Sequence, residues 1–308
     1  MSVLVLSGHD IERLLTMEEC IEAMADVLAE LARGGLHQPL RFLTRAEGAP
    51  GLMGFMPARR GGPNPVWSLK EIVVAPGNPK RGLDAHQGAV LLHDGDTGEL
   101  RAILNASPIT AIRTAAVSAV ATRLLARPDA RRVTILGAGV QGKAHEQALR
   151  VVLPEAEIRL WSRASGESVE DALRGADVVC TCTSAREPIL RRVWLAPGTH
   201  VNAVGSSVPS ARELDTATVR DASLFVDRRE STLNESGDFL AAAREAGLGP
   251  DHIKADLGEV LVGAHPGRTA DDELTVFKSL GLGVEDLAAA ELVVRKAREQ
   301  GLGVEVAF

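Results

Sequence analysis

The sequence predicts an α/β protein: a parallel-sheet domain joined to a second, mixed α+β domain. Three observations carry this expectation. After Arg127-Pro128-Asp129 short apolar runs alternate with helical segments. A glycine-rich turn, Gly137-Ala138-Gly139-Val140-Gln141-Gly142, lies between one such run and a helix. Before residue 127 the pattern is instead a helix, then strands separated by turns.

Residues 17–33 carry apolar side chains at helical spacing. Segments 65–75 and 88–94 read as strands, punctuated by Pro76-Gly77-Asn78-Pro79 and Asp94-Gly95-Asp96. Pro108 opens a long helix over 109–125, because proline is tolerated in a helix's first turn. Beyond the boundary, strands are expected at 133–136, 158–161, 178–183, 200–204 and 224–227, the last closing the series. Helices are expected at 143–152 and 168–174. Short apolar strands between helices imply a parallel sheet covered on both faces. A final helix near 284–300 is placed to return to the first domain. The expected division is therefore 1–126 with 284–308, and 127–283.

Bulk properties narrow the function. The 308 residues exceed one typical core. The net charge of -7 and the absence of a basic run exclude a nucleic-acid surface. Cys20, Cys180 and Cys182 form neither a disulfide framework nor a zinc motif, so no metal is expected. The N-terminus lacks a signal-peptide pattern, and no apolar run approaches the ~20 residues of a membrane span. A reducing, cytoplasmic setting without a membrane partner is expected.

The glycine turn is the chemical landmark. Gly137 permits a tight turn, Gly139 lets backbone approach a pyrophosphate, and Gly142 lets helix pack closely on strand. The helix N-terminus then offers N–H groups and a positive dipole end to phosphates. The expectation is a Rossmann-type dinucleotide site, the alternative being a glycine-rich turn without a ligand. About 20 residues on, NAD enzymes place an acidic residue on the ribose. Ser162-Arg163 stands there instead; these side chains suit a 2′-phosphate, or Arg163 is a surface loop residue. NADP(H) is the expected cofactor, with NAD(H) possible. The segment between Ser162 and Ala176 is too short for the usual helix, strand and helix, so the sheet is expected to lack a strand on its adenosine side.

Polar residues in apolar surroundings are the candidates for chemistry. Lys70, within Val66-Trp67-Ser68-Leu69-Lys70-Glu71-Ile72-Val73-Val74, either points into a cleft, to bind a carboxylate or move a proton, or lies on the solvent side of an edge strand. Arg113, near a helix start and followed by small residues, suits a carboxylate or phosphate, or else an interdomain ion pair. Arg41 is a second carboxylate clamp or an exposed strand residue. Asp227 ends a strand, where Rossmann-type sheets gather ligands, and is an acid/base candidate or a helix N-cap. His86 orients a neighbour or is structural.

Arg41, Lys70, Arg113-Thr114-Ala115-Ala116, Gly137–Gly142, His200-Val201-Asn202-Ala203-Val204-Gly205 and Asp227 occur in the order seen in one family. The chain resembles the ornithine cyclodeaminase/mu-crystallin family over nearly its whole length. The shortened Ser162–Ala176 segment is the departure from that pattern. The resemblance implies a Rossmann domain, a substrate and dimerisation domain made from both chain ends, and a homodimer. It implies that Arg41, Lys70 and Arg113 hold a substrate carboxylate, with Lys70 also moving a proton and Asp227 acting at the substrate nitrogen. Expected cofactor contacts are Thr114, Gly137, Gly139, Val140, Gln141, Gly142, Ser162, Arg163, Thr183, Val204 and Gly205. Within the family, Thr275–Asp286 with Lys278, Glu235-Ser236-Gly237-Asp238 and Leu257-Gly258-Glu259-Val260 resemble the ketimine-reductase branch. That branch implies NAD(P)H-dependent reduction of a cyclic imino acid, Δ1-pyrroline-2-carboxylate or Δ1-piperideine-2-carboxylate, to the cyclic L-amino acid. The alternatives are ornithine cyclodeamination to proline and ammonia with bound NAD, and a mu-crystallin-like binding protein without turnover.

Overall fold

Alternation along the strands decides the first sheet. In the computed structural model, which describes residues Ser2–Phe308, the chain opens with β1 (Ser2–Leu6), α1 (Gly8–Leu14) and α2 (Met17–Ala32). Both helices start at side-chain caps: Ser7 accepts from the Asp10 amide and Thr16 from the Glu19 amide. Two short strands follow, β2 (Leu36–His37) and β3 (Phe42–Thr44). Then come β4 (Leu52–Arg60), β5 (Val66–Val74), β6 (His86–Asp94) and β7 (Leu100–Asn105), an antiparallel run whose last strand pairs in parallel with β1.

Lys70 lies directly across from Met56 on β4 and Val90 on β6. Directly paired residues share a face. That face carries Met56, Ala58, Ser68, Lys70, Val90, Leu92, Ala102 and Leu104, all buried. The opposite face carries Phe42, Phe55, Trp67, Leu69, Val73, Leu91 and Ile103, half-buried or exposed. It also carries Arg59, Glu71 and Gln87, and leaves Phe42 at 62% and Trp67 at 42% exposure, an open sheet face with large apolar side chains.

The next helix, α3 (Ala106–Leu125), carries Pro108 in its first turn. The chain divides into two compact units, Thr114–Gly281 being the second, so the division falls inside this helix. The turn signal Arg127-Pro128-Asp129 ends the helix; it does not mark the division, because one continuous helix belongs partly to each unit.

The second unit begins β8 (Arg132–Leu136), α4 (Val140–Val152), β9 (Glu157–Trp161), α5 (Val169–Leu173), β10 (Val178–Thr181) and β11 (His200–Ala203). It continues α6 (Thr216–Asp221), β12 (Ser223–Val226), α7 (Arg229–Glu235), α8 (Gly237–Ala246), β13 (Ile253–Asp256), α9 (Leu257–Leu261) and β14 (Thr275–Lys278). The strands form one parallel sheet in the order β13-β12-β14-β11-β10-β8-β9. Its two faces are both buried. Val133, Ile135, Val178 and Cys180 pack with Leu149 on one side. Leu136, Val179, Val201 and Val226 pack with Phe239 on the other. The strand at 224–227 does not close the series: β13 and β14 follow, and β14 inserts between β11 and β12. Each is only four residues and ends on a charged side chain, too short to show a period. β9 is the last strand on its side, as the short Ser162–Ala176 segment requires.

The chain then re-enters the first unit as α10 (Gly283–Gln300) and β15 (Val304–Ala307), the latter antiparallel to β1. α10 lies close to β4: a methyl group on Gly283 would stand 2.9 Å from the Met56 carbonyl oxygen. The Val284 amide donates to Gln38 Oε1 at 2.9 Å. No helix among the described residues is long and apolar enough to cross a membrane.

Candidate active site

In the second unit the glycine turn has the geometry its sequence implies. Gly137 holds φ at 119°, a backbone state other residues avoid, and its amide donates to the Trp161 carbonyl at 2.9 Å. A methyl on Gly142 would fall 1.8 Å from the Gly137 carbonyl oxygen, so only glycine lets α4 start here. Gly139 is the N-cap, and no side chain caps the helix. Nothing stands within 4 Å of a methyl placed there, and Ala138, Gly139 and Val140 are exposed. The unsatisfied first-turn amides of α4 therefore open onto accessible space, which suits a pyrophosphate. The Gly137–Trp161 bond also brings the end of β9 beside the turn. Ser162 follows half-buried and Arg163 is exposed.

At the carboxyl ends of the other strands, buried carboxylates gather backbone amides. Glu213, fully buried, accepts from Thr181 Oγ1 (2.7 Å), the Thr183 amide (2.7 Å), Thr183 Oγ1 (2.6 Å) and the Gly205 amide (2.7 Å). Burial pushes its carboxyl above the ordinary range, opposed by the Lys278 charge and the threonine hydrogen bonds. Lys278 Nζ pairs with Asp238 Oδ2 at 2.9 Å, and Asp238 Oδ1 accepts from the Glu213 and Leu214 amides. Asp227, 1% exposed, accepts from the Arg228 amide at 2.8 Å, Leu280 at 2.5 Å and Gly281 at 2.7 Å. It pins the turn after β14. The N-cap of α7 is Arg228, so Asp227 is not that cap.

The first unit holds a buried charge cluster. Lys70 Nζ lies 2.7 Å from Asp286 Oδ2. Arg113 Nε lies 3.0 Å from Asp286 Oδ1, and Arg113 Nη1 lies 2.7 Å from Glu285 Oε2. All four side chains are at most 5% exposed. Glu285 and Asp286 sit in the first turn of α10, where the helix dipole favours anions. Burial first, and then the Arg113 charge, push the Lys70 ammonium down to about 8. His86 begins β6 on the Lys70 face; partial burial, Lys70 and Arg113 lower its imidazole. Lys70 is thus on the core side of its strand, not the solvent side. The carboxylates paired with Arg113 belong to its own unit.

Lys70 and Arg113 meet at a shared carboxylate, Asp286. Arg41 lies half-buried between β2 and β3. Thr114 is buried in α3, and Thr183, Val204 and Gly205 follow the ends of β10 and β11; Glu213 braces Thr183 and Gly205, and the Val204 amide donates to the Thr181 carbonyl. Three partners escaped the sequence reading: Glu285, Asp286 and Glu213. The first two carry a visible signal, an acidic pair opening the apolar run Leu287-Ala288-Ala289-Ala290. Glu213 carries none, since its donors come from separate loops.

A parallel sheet with an uncapped glycine turn at one strand end defines a dinucleotide-binding α/β protein. The sequence matches the profile of the ornithine cyclodeaminase/mu-crystallin family over residues 1–167 and 164–301, and the chain belongs to that family. It is 41% identical over 276 residues to the ketimine reductase mu-crystallin of Mus musculus, covering 84% of this chain and 85% of that one. The structure of Thermococcus litoralis Δ1-pyrroline-2-carboxylate reductase in complex with NADH and L-proline is similar at a TM-score of 0.94 and 36% identity, covering 99% of this chain and 100% of that one. A dimeric archaeal alanine dehydrogenase with bound NAD also gives 0.94, at 29% identity and with full coverage of both chains.

Three outcomes follow. Gly142→Ala is expected to lower the melting temperature by several degrees, corresponding to ~1–3 kcal/mol of overpacking. Gly139→Ala should leave it nearly unchanged yet weaken dinucleotide binding; thermal melts and NADH fluorescence titrations separate the two. Glu213→Gln replaces an acceptor oxygen by an amide facing N–H or O–H donors, a change costing ~1–3 kcal/mol. Fluorescence titration should then show dinucleotide affinity about tenfold weaker.

Proposed function

We propose that this chain is an NAD(P)H-dependent reductase of a cyclic ketimine, Δ1-pyrroline-2-carboxylate or Δ1-piperideine-2-carboxylate, giving the cyclic L-amino acid. The observation that carries the reading is the buried pair Lys70 and Arg113, held in fixed geometry by acidic partners of its own unit. In this reading Arg41, Lys70 and Arg113 bind the substrate carboxylate, arginine's fork matching its two oxygens. Bound NAD(P)H supplies hydride to the imine carbon. Gly137, Gly139, Val140, Gln141 and Gly142 receive the pyrophosphate, with Thr114, Thr183, Val204 and Gly205 completing the cofactor contacts. Lys70 or Asp227 manages the proton at the substrate nitrogen, which must be protonated for the C=N carbon to accept hydride readily.

NADP(H) is the preferred cofactor in this proposal, because Ser162-Arg163 stands where a ribose-binding carboxylate would repel a 2′-phosphate. A homodimer is part of the same reading. The open sheet face bearing Phe42, Trp67 and Val73 supports it, as does the dimer of the alanine dehydrogenase relative. A reducing cytoplasm suits the three unpaired thiols.

The decisive assay follows absorbance at 340 nm with purified protein, the imine, and NADPH or NADH. Oxidation is expected, faster with NADPH, and Arg163→Ala should reduce that preference about tenfold. Ammonia release from ornithine without cofactor oxidation would move the protein to cyclodeamination. Cofactor binding without turnover on any imino or amino acid would make it a binding protein. Light scattering should give twice the chain mass, and Trp67→Glu should shift the protein toward monomer.

A further inference from the structure

We infer that Asp286 is a positioning residue for the reaction: its carboxylate bridges Lys70 and Arg113, one oxygen to each, and fixes where the lysine proton sits and over what pH range it is held. The inference rests on the proposed role of Lys70 as a substrate-side proton carrier.

The bridge is built from three short contacts. Asp286 Oδ2 meets Lys70 Nζ at 2.7 Å, and Oδ1 meets Arg113 Nε at 3.0 Å. Glu285 Oε2 meets Arg113 Nη1 at 2.7 Å. Two nitrogens of a rigid planar fork are thereby engaged by consecutive residues of one helix turn, which fixes the guanidinium plane. The lysine, otherwise a flexible chain with a mobile point charge, is tied to the same carboxylate. The two cations therefore cannot move independently.

Stability alone is a poor explanation for the cluster. Taking each ion out of water costs several kcal/mol, and well-packed apolar side chains of similar size often replace buried ion pairs without loss. The surrounding face, Met56, Ala58, Val90 and Leu104, already supplies apolar surface for α10 to cover.

The groups facing Lys70 determine its proton affinity together. Asp286 and Glu285 on α10 favour the ammonium, whereas burial and Arg113 on α3 oppose it. His86 on β6 and Lys70 repel when both are charged. Cys20 on α2, beside Arg113 and Glu285, is pushed up to about 12 by burial and stays neutral. The balance leaves Lys70 at about 8, so the ammonium is present below that pH and lost as pH rises through it. Asp286 contributes both a direct hydrogen bond and its charge, and Glu285 contributes charge alone to Lys70.

The test combines two readouts on wild type, Asp286→Asn, Asp286→Glu and Glu285→Gln. The first is the pH profile of kcat/KM for imine reduction. The second is titration of the ¹³Cε-lysine resonances; with six lysines in the chain, Lys70 is assigned by Lys70→Arg. Wild type should show an alkaline limb and a lysine titration that coincide near 8. Asp286→Asn should move both down by about one pH unit and lower kcat at least about tenfold. Asp286→Glu should recover part of the loss. Glu285→Gln should shift the limb less and raise KM more. Loss of activity in Asp286→Asn with limb and lysine titration unmoved would overturn the inference, as would an ordinary lysine titration in wild type. Should wild type fail to reduce any imine, the proposed function falls and the positioning role with it, while the lysine titration in Asp286→Asn still decides whether Asp286 holds the Lys70 proton.

Discussion

The constraint on which the first unit depends is the neutralisation of four buried charges. Lys70 and Arg113 sit on the core side of their elements, and an unpaired cation there would be far costlier than any single apolar contact is worth. Their partners come from the far end of the chain, in the first turn of α10. The return of the chain after the second unit is therefore a requirement of the site. Gly283 follows from the same need: without a side chain it lets α10 approach the β4 carbonyls closely enough to place Glu285 and Asp286. Sheet alternation, helix start and charge cluster are one arrangement seen at three scales.

The second unit uses charge differently. Its buried carboxylates spend most of their accepting capacity on backbone amides: Asp227 on the turn after β14, Asp238 on Glu213 and Leu214, and Glu213 on the loops after β10 and β11. Elsewhere, α1, α2, α5, α6 and α8 start at side-chain caps. The N-terminus of α4 has no side-chain cap. α7 and α10 also lack an N-cap side-chain hydrogen bond, but there the Arg229 amide donates to Asp256 Oδ1 and the Val284 amide to Gln38 Oε1, whereas the exposed start of α4 is open to an external anion. The glycine motif alone is a weak pattern; the exposed helix start that follows it gives it physical weight.

Much of this was legible in the sequence. The helices at 17–33 and 109–125, the strand bearing Lys70 and the glycine turn follow from periods and from residues with few conformational options. What escaped was short or non-local. β14 is four residues long and lies between strands that precede it in sequence, so neither pattern nor chain order reveals its place. Asp286 is separated from Lys70 by most of the chain, and ion pairing leaves no periodic trace. Glu213 looks like any charged loop residue until its four donors are seen together. Residues whose role is local were readable; those whose role is to connect distant segments were not.

The short segment after β9 leaves the sheet without a further strand on that side. The sheet ends at β9, and the loop that follows is closed locally by the Trp161 indole donating to the Glu167 carbonyl and by the Arg159–Glu167 ion pair. A further strand would have supplied apolar wall and backbone on the adenosine side. Without it, in the proposed reading, that end of a dinucleotide would meet chiefly the glycine turn, half-buried Ser162 and exposed Arg163. An exposed arginine acts through charge and hydrogen bonds rather than buried area, and such attraction is screened within about 10 Å at moderate salt. Cofactor affinity in this chain should accordingly fall as ionic strength rises, and the dependence should weaken when Arg163 is removed.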